Sequence, residues 1–280
     1  MRRSLRPNPM RTIVHLSDLH FGDAEPALVA PLIASVQDCA PNLVAISGDL
    51  TQRARRAQFR MARAFLDRLP APVIVVPGNH DVPLYNVVAR FLHPLANYEC
   101  AIGPDLEPLY ADDEIAVLGI NTARSLTFKS GRINEEQVAR ARGRLCALPA
   151  HVLKVVVTHH PFDLPEDAAA RELVGRAAMA MRGLAACGVH IILSGHLHTG
   201  RVGTTRARFA IEGHSALVVQ AGTALSRRRR GEANAFNVLR TACECVTVEN
   251  RVWSDPENAF ICRTRQGFRL RDGQWLRAAG

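Results

Sequence analysis

The chain has 280 residues, of which 48% are hydrophobic and only 22% charged. That suffices to bury a large core in one α/β domain or two small ones, and it excludes disorder except at the ends. The net charge is +9, from 35 basic and 26 acidic residues, a weak pointer to anionic substrates; because lysine occurs only at Lys129 and Lys154, the arginine excess reflects genome composition as readily as function.

In chain order, residues 1–11 read as a frayed tail, and Thr12 to Ser17 as a first strand ending at Asp18-Leu19-His20. Alternate side chains of an extended segment point the same way, so Asp18 and His20 form a claw of oxygen and nitrogen. From Pro26 to Cys39, Leu28, Val29, Leu32, Ile33 and Val36 recur at helical spacing. The run Leu43-Val44-Ala45-Ile46-Ser47-Gly48-Asp49 has the length and β-branched content of a strand buried on both faces, as in a parallel sheet. Gly48 allows a sharp turn, which sets Asp49 beyond the carboxyl end of a central strand, where open α/β sheets place their ligands. Asp49 therefore reads as a bridge between two metal ions, with the other ligands on neighbouring strand ends.

A second helix is expected from about Arg55 to Leu69, with Phe59, Ala62, Phe65, Leu66 and Leu69 buried and Arg56, Arg60 and Arg63 solvated. The strand Val73 to Val76 runs into Pro77-Gly78-Asn79-His80-Asp81. There Asn79 offers a neutral carbonyl ligand, His80 can shuttle a proton, and Asp81 can hold that imidazole in one tautomer. Residues 82–112, interrupted by Pro83, Pro94, Gly103, Pro104 and Pro108, read as a helix plus a loop-rich, cap-like excursion near the site.

Ile115 to Ile120 returns to strand, and Asn134-Glu135-Glu136-Gln137 resembles a capping box opening a helix to about Leu148. Strand Leu153 to Val157 ends at Thr158-His159-His160-Pro161. A helix from about Asp167 to Ala186, capped by Gly188, leads to strand Val189 to Leu193 and then to Ser194-Gly195-His196-Leu197-His198. Beyond it, short strands are expected at Phe209–Ile211, Ala216–Gln220, Phe236–Arg240 and Cys245–Trp253. A last hairpin is expected between Phe260–Thr264 and Phe268–Arg271, turning near Gln266-Gly267. These strands read as finishing a second sheet, so that residues 12–275 make one domain.

The seven cysteines, Cys39, Cys100, Cys146, Cys187, Cys243, Cys245 and Cys262, are odd in number and scattered. That spacing argues against a disulfide framework or a thiolate zinc site and makes most of them small buried hydrophobes. The N-terminus is basic but lacks the apolar segment of an export signal, and no run is long enough to span a membrane, so a reduced, cytoplasmic setting is expected. His15 reads as a packed histidine on the far side of its strand, and His93, His151, His190 and His214 lack ligand-like spacing. Arg227-Arg228-Arg229-Arg230 reads as a solvated loop, though it could attract an anion.

Five strand ends thus gather carboxylate, amide oxygen and imidazole without sulfur, a donor set that suits Mn²⁺, Fe²⁺/Fe³⁺ or Zn²⁺. The blocks D-L-H, G-D-L, G-N-H-D, T-H-H-P and G-H-L-H, in this order from about Thr12 to Gly200, resemble the calcineurin-like metallophosphoesterase superfamily. Leu16-Ser17-Asp18-Leu19-His20-Phe21-Gly22 and Gly48-Asp49-Leu50-Thr51 are most similar to its bacterial cyclic-nucleotide phosphodiesterase and glycerophosphodiesterase branch. The resemblance implies a four-layer α/β/β/α sandwich, two packed mixed sheets flanked by helices, with two divalent metal ions at one edge. It also implies that Asp18, His20, Asp49 and His198 hold one ion and that Asp49, Asn79, His159 and His196 hold the other. His80 would stand near the scissile bond with Asp81 behind it. His159 is preferred to His160 because it matches the H-x-P spacing of the motif.

The activity implied is hydrolysis of a small anionic phosphodiester, with 3′,5′-cyclic AMP the first candidate, by in-line attack of a hydroxide bridging the metals. A nuclease or phosphomonoesterase on the same scaffold is the alternative, as is a non-catalytic metal-binding interaction module. Nucleic acid is not favoured, because 5% aromatic content offers no stacking platform for single strands.

Overall fold

The computed structural model describes residues 10–127, 129–164, 172–228, 231–242 and 244–278. Strands β1 (Arg11–Leu16), β2 (Leu43–Ile46) and β3 (Val73–Val75) are parallel and alternate with helices α1 (Pro26–Asp38) and α2 (Arg56–Leu66). Short helices α3 (Val87–Leu92) and α4 (Ala96–Ala101) and strand β4 (Leu109–Ala111) follow. Next come β5 (Ile115–Gly119), α5 (Glu135–Leu145), β6 (Leu153–Val157), α6 (Ala177–Ala185) and β7 (Ile191–Ser194). The chain closes with β8 (Arg201–Thr204), β9 (Leu217–Gln220), β10 (Ala235–Ala242), β11 (Cys245–Ser254), β12 (Ala259–Arg271) and β13 (Gln274–Arg277).

These strands form two mixed sheets, ordered β13-β12-β11-β10-β1-β2-β3 and β4-β5-β6-β7-β9-β8. Their alternating residues explain the layering. Ile13, Leu43, Ala45 and Ile74 of the first sheet pack against Val117, Val155, Ile191 and Leu217 of the second. The opposite faces of the same strands, Val14, Leu16, Val44 and Ile46, meet Leu32, Val36, Phe59 and Phe65 of α1 and α2. On the far side, Leu118, Val156 and Ile192 meet Val138, Leu145, Met181 and Leu184 of α5 and α6. The result is the expected α/β/β/α sandwich. The capping box of α5 forms as read: Asn134 Oδ1 accepts from the Gln137 N–H at 2.8 Å.

Several local expectations are corrected. Gln266 and Gly267 do not turn; they pair with Val248 and Thr247 inside a continuous β12. The hairpin turns instead at Asp272-Gly273, with φ of 49° and 71°, the left-handed pair that a two-residue turn demands. Residues 167–171 of the expected long helix lie outside the described residues, and α6 begins only at Ala177. The Val174 and Gly175 N–H groups donate to the Pro161 and Gly131 carbonyls, which holds that stretch out of helix. Phe209–Ile211 is not a strand; β8 lies earlier. The late strands are also divided, with β8 and β9 in the second sheet while β10 pairs antiparallel with β1 in the first. Residues 1–9 of the expected tail lie outside the described residues, and Arg11 already belongs to β1.

Cys146 and Cys187 form a disulfide between the C-terminal ends of α5 and α6, with Cα atoms 4.6 Å apart. Adjacent helix ends bring together two cysteines 41 residues apart, a proximity that spacing along the chain does not reveal. The cysteine argument for a reduced compartment loses its footing, and Cys100 and Cys262 are exposed rather than buried. Among the described residues no helix is long and apolar enough to cross a membrane.

The segment 82–112 is more ordered than its prolines suggest. The Tyr98 hydroxyl donates to the Val75 carbonyl at 3.1 Å, fastening α4 to β3. In α3 the buried residue is Arg90, whose guanidinium donates to the Pro83, Ser125 and Thr127 carbonyls, while Val87, Val88, Phe91 and Leu92 face outwards.

His15 packs as expected, its Nε2 2.9 Å from Ser47 Oγ. His190 sits between the second sheet and β13, its Nδ1 accepting from the Lys154 N–H at 3.0 Å. Burial, then the Lys154 and His214 charges, hold His190 down at about 4, against an ordinary 6.5. The unfolded chain therefore takes up a proton that the folded chain refuses between these values, and stability falls as pH drops from 6.5 towards 4. The effect reaches at most about 3 kcal/mol. His190→Asn, which keeps an acceptor for Lys154, should flatten this acid limb in urea unfolding followed across pH; an unchanged slope would exclude the assignment.

Candidate metal centre

Asp18, His20, Asp49, Asn79, His159, His196 and His198 all lie just past the carboxyl ends of parallel strands: β1, β2 and β3 in one sheet, β6 and β7 in the other. Strand ends expose backbone groups, and here they bond to one another. The Asp18 and His20 N–H groups donate to the Gly48 and Asp49 carbonyls, and the His196 N–H donates to Asp18 Oδ2 at 3.0 Å. That last bond joins the two sheets at the site.

The backbone is bent further than an extended claw requires. Asp18, His20, Asp49, His196 and His198 have φ of 53°, 46°, 51°, 74° and 60°. They are half of the ten non-glycine residues with positive φ among those described, a concentration of strain typical of functional sites. Asp18 and His20 thus converge through left-handed turns rather than strand alternation. Gly48, at φ 92°, adds a turn open to glycine, and a Cβ there would lie 2.7 Å from His159 Nδ1. At Gly78 a Cβ would collide with Asp49 Oδ1.

The ligand atoms fall into two groups that share one oxygen. In the first, His20 Nε2 lies 3.5 Å from Asp18 Oδ1 and 3.6 Å from Asp49 Oδ2, and His198 Nε2 lies 3.4 Å from Asp18 Oδ1. In the second, His159 Nε2 lies 3.3 Å from Asp49 Oδ2 and 3.0 Å from Asn79 Oδ1. His196 Nδ1 is 3.1 Å from the same Asn79 oxygen. Asp18 Oδ1 and His20 Nε2 are buried with no hydrogen-bond partner among the described residues, an arrangement a bound cation would satisfy. The donors are hard or intermediate, contain no sulfur, and draw together in overlapping groups of three, among them Asp18, His20 and His198, Asp18, Asp49 and His159, and His159, His160 and His196. They fit a binuclear centre of divalent ions.

Neighbouring groups set which nitrogen faces inwards. His159 Nδ1–H donates to the Ser47 carbonyl at 2.7 Å, leaving Nε2 for the centre. His196 Nε2 lies 3.2 Å from Glu172 Oε2, which leaves Nδ1 free. His160 differs, since the Thr122 hydroxyl meets its Nδ1 at 2.8 Å and its Nε2–H donates to the Lys129 carbonyl. Both ring nitrogens of His160 are thus engaged by the protein, while the ring stands beside His159 and His196. Although burial works against the charged forms, the Asp49 carboxylate chiefly holds His159 up at about 9, while His159, His80 and His20 hold Asp49 well below the usual carboxylate range.

His80 borders the shared oxygen, its N–H donating to Asp49 Oδ1 at 2.8 Å. Its ring does not rest on Asp81, contrary to expectation. His80 Nδ1–H donates to the Gln52 carbonyl at 3.0 Å. Asp81 is buried one turn below, where its carboxylate accepts from the Leu50, Thr51 and Gly78 N–H groups and from the Thr51 hydroxyl. The three-residue turn at Asn79–Asp81 points successive side chains in different directions, so Asp81 braces the loops that carry Asp49 and Asn79. Gln52, Glu172 and Arg228, whose Nη1 lies 2.8 Å from His80 Nε2, were not singled out individually as site residues by sequence reasoning. Arg228 alone had a signal, as part of a basic run.

The model of the calcineurin-like phosphoesterase family matches residues 11–200, and the chain belongs to this family. Fold and donor groups together define a candidate binuclear metal site of this family. The chain is 26% identical over 165 residues to the glycerophosphodiester phosphodiesterase GpdQ of Enterobacter lignolyticus (strain SCF1), a match covering 54% of this chain and 58% of that protein. It is 30% identical over 81 residues to the probable cyclic nucleotide phosphodiesterase syc0937_d of a Synechococcus strain, covering 26% of this chain and 32% of that protein. The chain thus spans less than two thirds of either relative. Among solved structures, PhoD superposes with a TM-score of 0.73 at 10% identity, over 98% of this chain and 72% of that one, a likeness of fold alone.

Gly78→Ala should displace Asp49 and weaken metal binding by about 10–100-fold, as changes beside ligands do. Elemental analysis after dialysis against limiting Mn²⁺ measures this, with Gly143→Ala, whose added methyl meets nothing within 4 Å, as the control. Equal metal content in the two variants would refute the assigned crowding.

Proposed function

We propose that the protein is a binuclear-metal phosphodiesterase acting on a small anionic substrate, with 3′,5′-cyclic AMP the first candidate. The observation that carries this reading is Asp49 Oδ2, which faces both ligand groups, with His80 at its edge. Two divalent ions held by Asp18, His20, Asp49 and His198 and by Asp49, Asn79, His159 and His196 would clamp a phosphate and supply hydroxide at neutral pH. The chain's own residues do the rest. Gln52 fixes the His80 tautomer, so that Nε2 is the nitrogen presented to solvent and substrate. From there His80, carrying a second proton on Nε2 in the reacting complex, contacts the phosphate and gives that proton to the departing alkoxide while Nδ1–H stays on Gln52. Asp81 acts by positioning the two loops it joins.

The printed functions of the two relatives, a glycerophosphodiester phosphodiesterase and a probable cyclic nucleotide phosphodiesterase, favour a small diester. The segment 82–112 serves as the substrate-facing cap in this reading, supported by the outward apolar side chains of α3. The +9 charge gives some support to a nuclease on the same scaffold.

Bis-p-nitrophenyl phosphate, p-nitrophenyl phosphate, cyclic AMP and single-stranded DNA, each with Mn²⁺ and with chelator, separate these readings. Metal-dependent turnover is expected for the two small diesters, bis-p-nitrophenyl phosphate and cyclic AMP; no hydrolysis of any substrate would favour a non-catalytic module. His80→Ala should lower kcat by about 10²–10⁴-fold while metal content stays at the parent level. Loss of metal in that variant would show that His80 has been given the wrong role.

A further inference from the structure

Arg227 and Arg228 are consecutive, yet their side chains do different things. Arg227 Nε donates to Glu25 Oε2 at 3.0 Å, and its backbone N–H donates to the Asp23 carbonyl. Both bonds tie this segment to the loop that follows His20. Arg228 reaches the other way, to His80 Nε2 at 2.8 Å, across 148 residues of sequence. Because His80 Nδ1 carries the proton given to Gln52, Nε2 accepts from the guanidinium.

The backbone under Arg228 is held firmly. The Arg228 N–H donates to Ser226 Oγ, the Ser226 N–H to Thr223 Oγ1, and the Thr223 hydroxyl to the Asp18 carbonyl at 2.8 Å. An arginine is thus fixed relative to a candidate metal ligand through three short links. Among the described residues Arg228 has no carboxylate partner, whereas Arg227 does. A guanidinium spending one of its five donors on a neutral imidazole holds a weaker partner than a phosphate oxygen would be, and its planar fork suits phosphate.

We propose that Arg228 is the substrate-binding residue for the phosphate itself. Its guanidinium leaves His80 to donate to the non-bridging oxygens of a bound phosphate ester, and His80 Nε2 is freed to face the departing oxygen. This rests on the phosphoesterase reading above, and it deepens it by naming the group that recognises the anion from outside the metal cluster.

The test combines steady-state kinetics on whichever panel substrate is turned over with calorimetric titration of inorganic phosphate into the Mn²⁺-loaded protein. Arg228→Ala should raise both KM and the phosphate Kd by about 10–100-fold, the worth of a hydrogen bond to a charged group, with Mn²⁺ content unchanged. Arg228→Lys should recover part of the loss. Arg227→Ala reports on the loop alone and should leave phosphate affinity within about threefold of the parent. The inference is overturned if Arg228→Ala binds phosphate within about twofold of the parent, if Arg227→Ala matches it, or if the parent binds no phosphate. Should the parent hydrolyse nothing, the phosphodiesterase reading falls, and the phosphate titration still judges Arg228 by itself.

Discussion

The Asp49 carboxylate is the point on which the structure depends. Its Oδ2 faces His20 Nε2 on one side and His159 Nε2 on the other, and its Oδ1 accepts the His80 N–H. A fully buried carboxylate is costly unless compensated. Here imidazoles compensate on two sides, and a pair of cations would complete what they begin. Asp18 Oδ1 and His20 Nε2, buried with no hydrogen-bond partner among the described residues, mark the same unfinished coordination.

Holding such a cluster in place takes both sheets. The first contributes Asp18, His20, Asp49 and Asn79, and the second His159, His196 and His198. The apolar layer between the sheets, from Ile13 and Ala45 across to Val155 and Ile191, therefore sets the distance between ligand groups. Close-packed interiors transmit displacement rather than absorb it, so the site inherits its rigidity from packing well below it. The left-handed turns at five of the candidate ligand positions are the local cost of aiming side chains from two sheets at one point.

Around this centre, supporting residues come from unrelated parts of the chain. Ser47, Gln52 and Glu172 select the inward nitrogen of His159, His80 and His196. Two of the three act through backbone carbonyls, which every residue carries, so no residue type advertised them. Asp81 reads from the sequence as the partner of the His80 ring, but a three-residue turn separates its carboxylate from that ring. The capping box at Asn134 was readable because both partners lie within one turn. The last hairpin was misplaced because Gln266-Gly267 looks like a turn in isolation, whereas pairing with β11 keeps it extended.

What the amino-acid sequence determined by itself was local: the apolar runs that become strands, the helical periodicities, and the polar blocks at strand ends, each governed by contacts within a few residues. Family resemblance then supplied the layered sandwich and the candidate ligand set. Only the tertiary structure decided that Cys146 meets Cys187, that Gln52 rather than Asp81 orients His80, that His160 is enclosed by Thr122 and Lys129, and that Arg228 stands beside His80. Each of these is a contact between segments far apart along the chain, or one made through the backbone. Such contacts follow from how the two sheets stack, and spacing along a single strand of text carries no record of it.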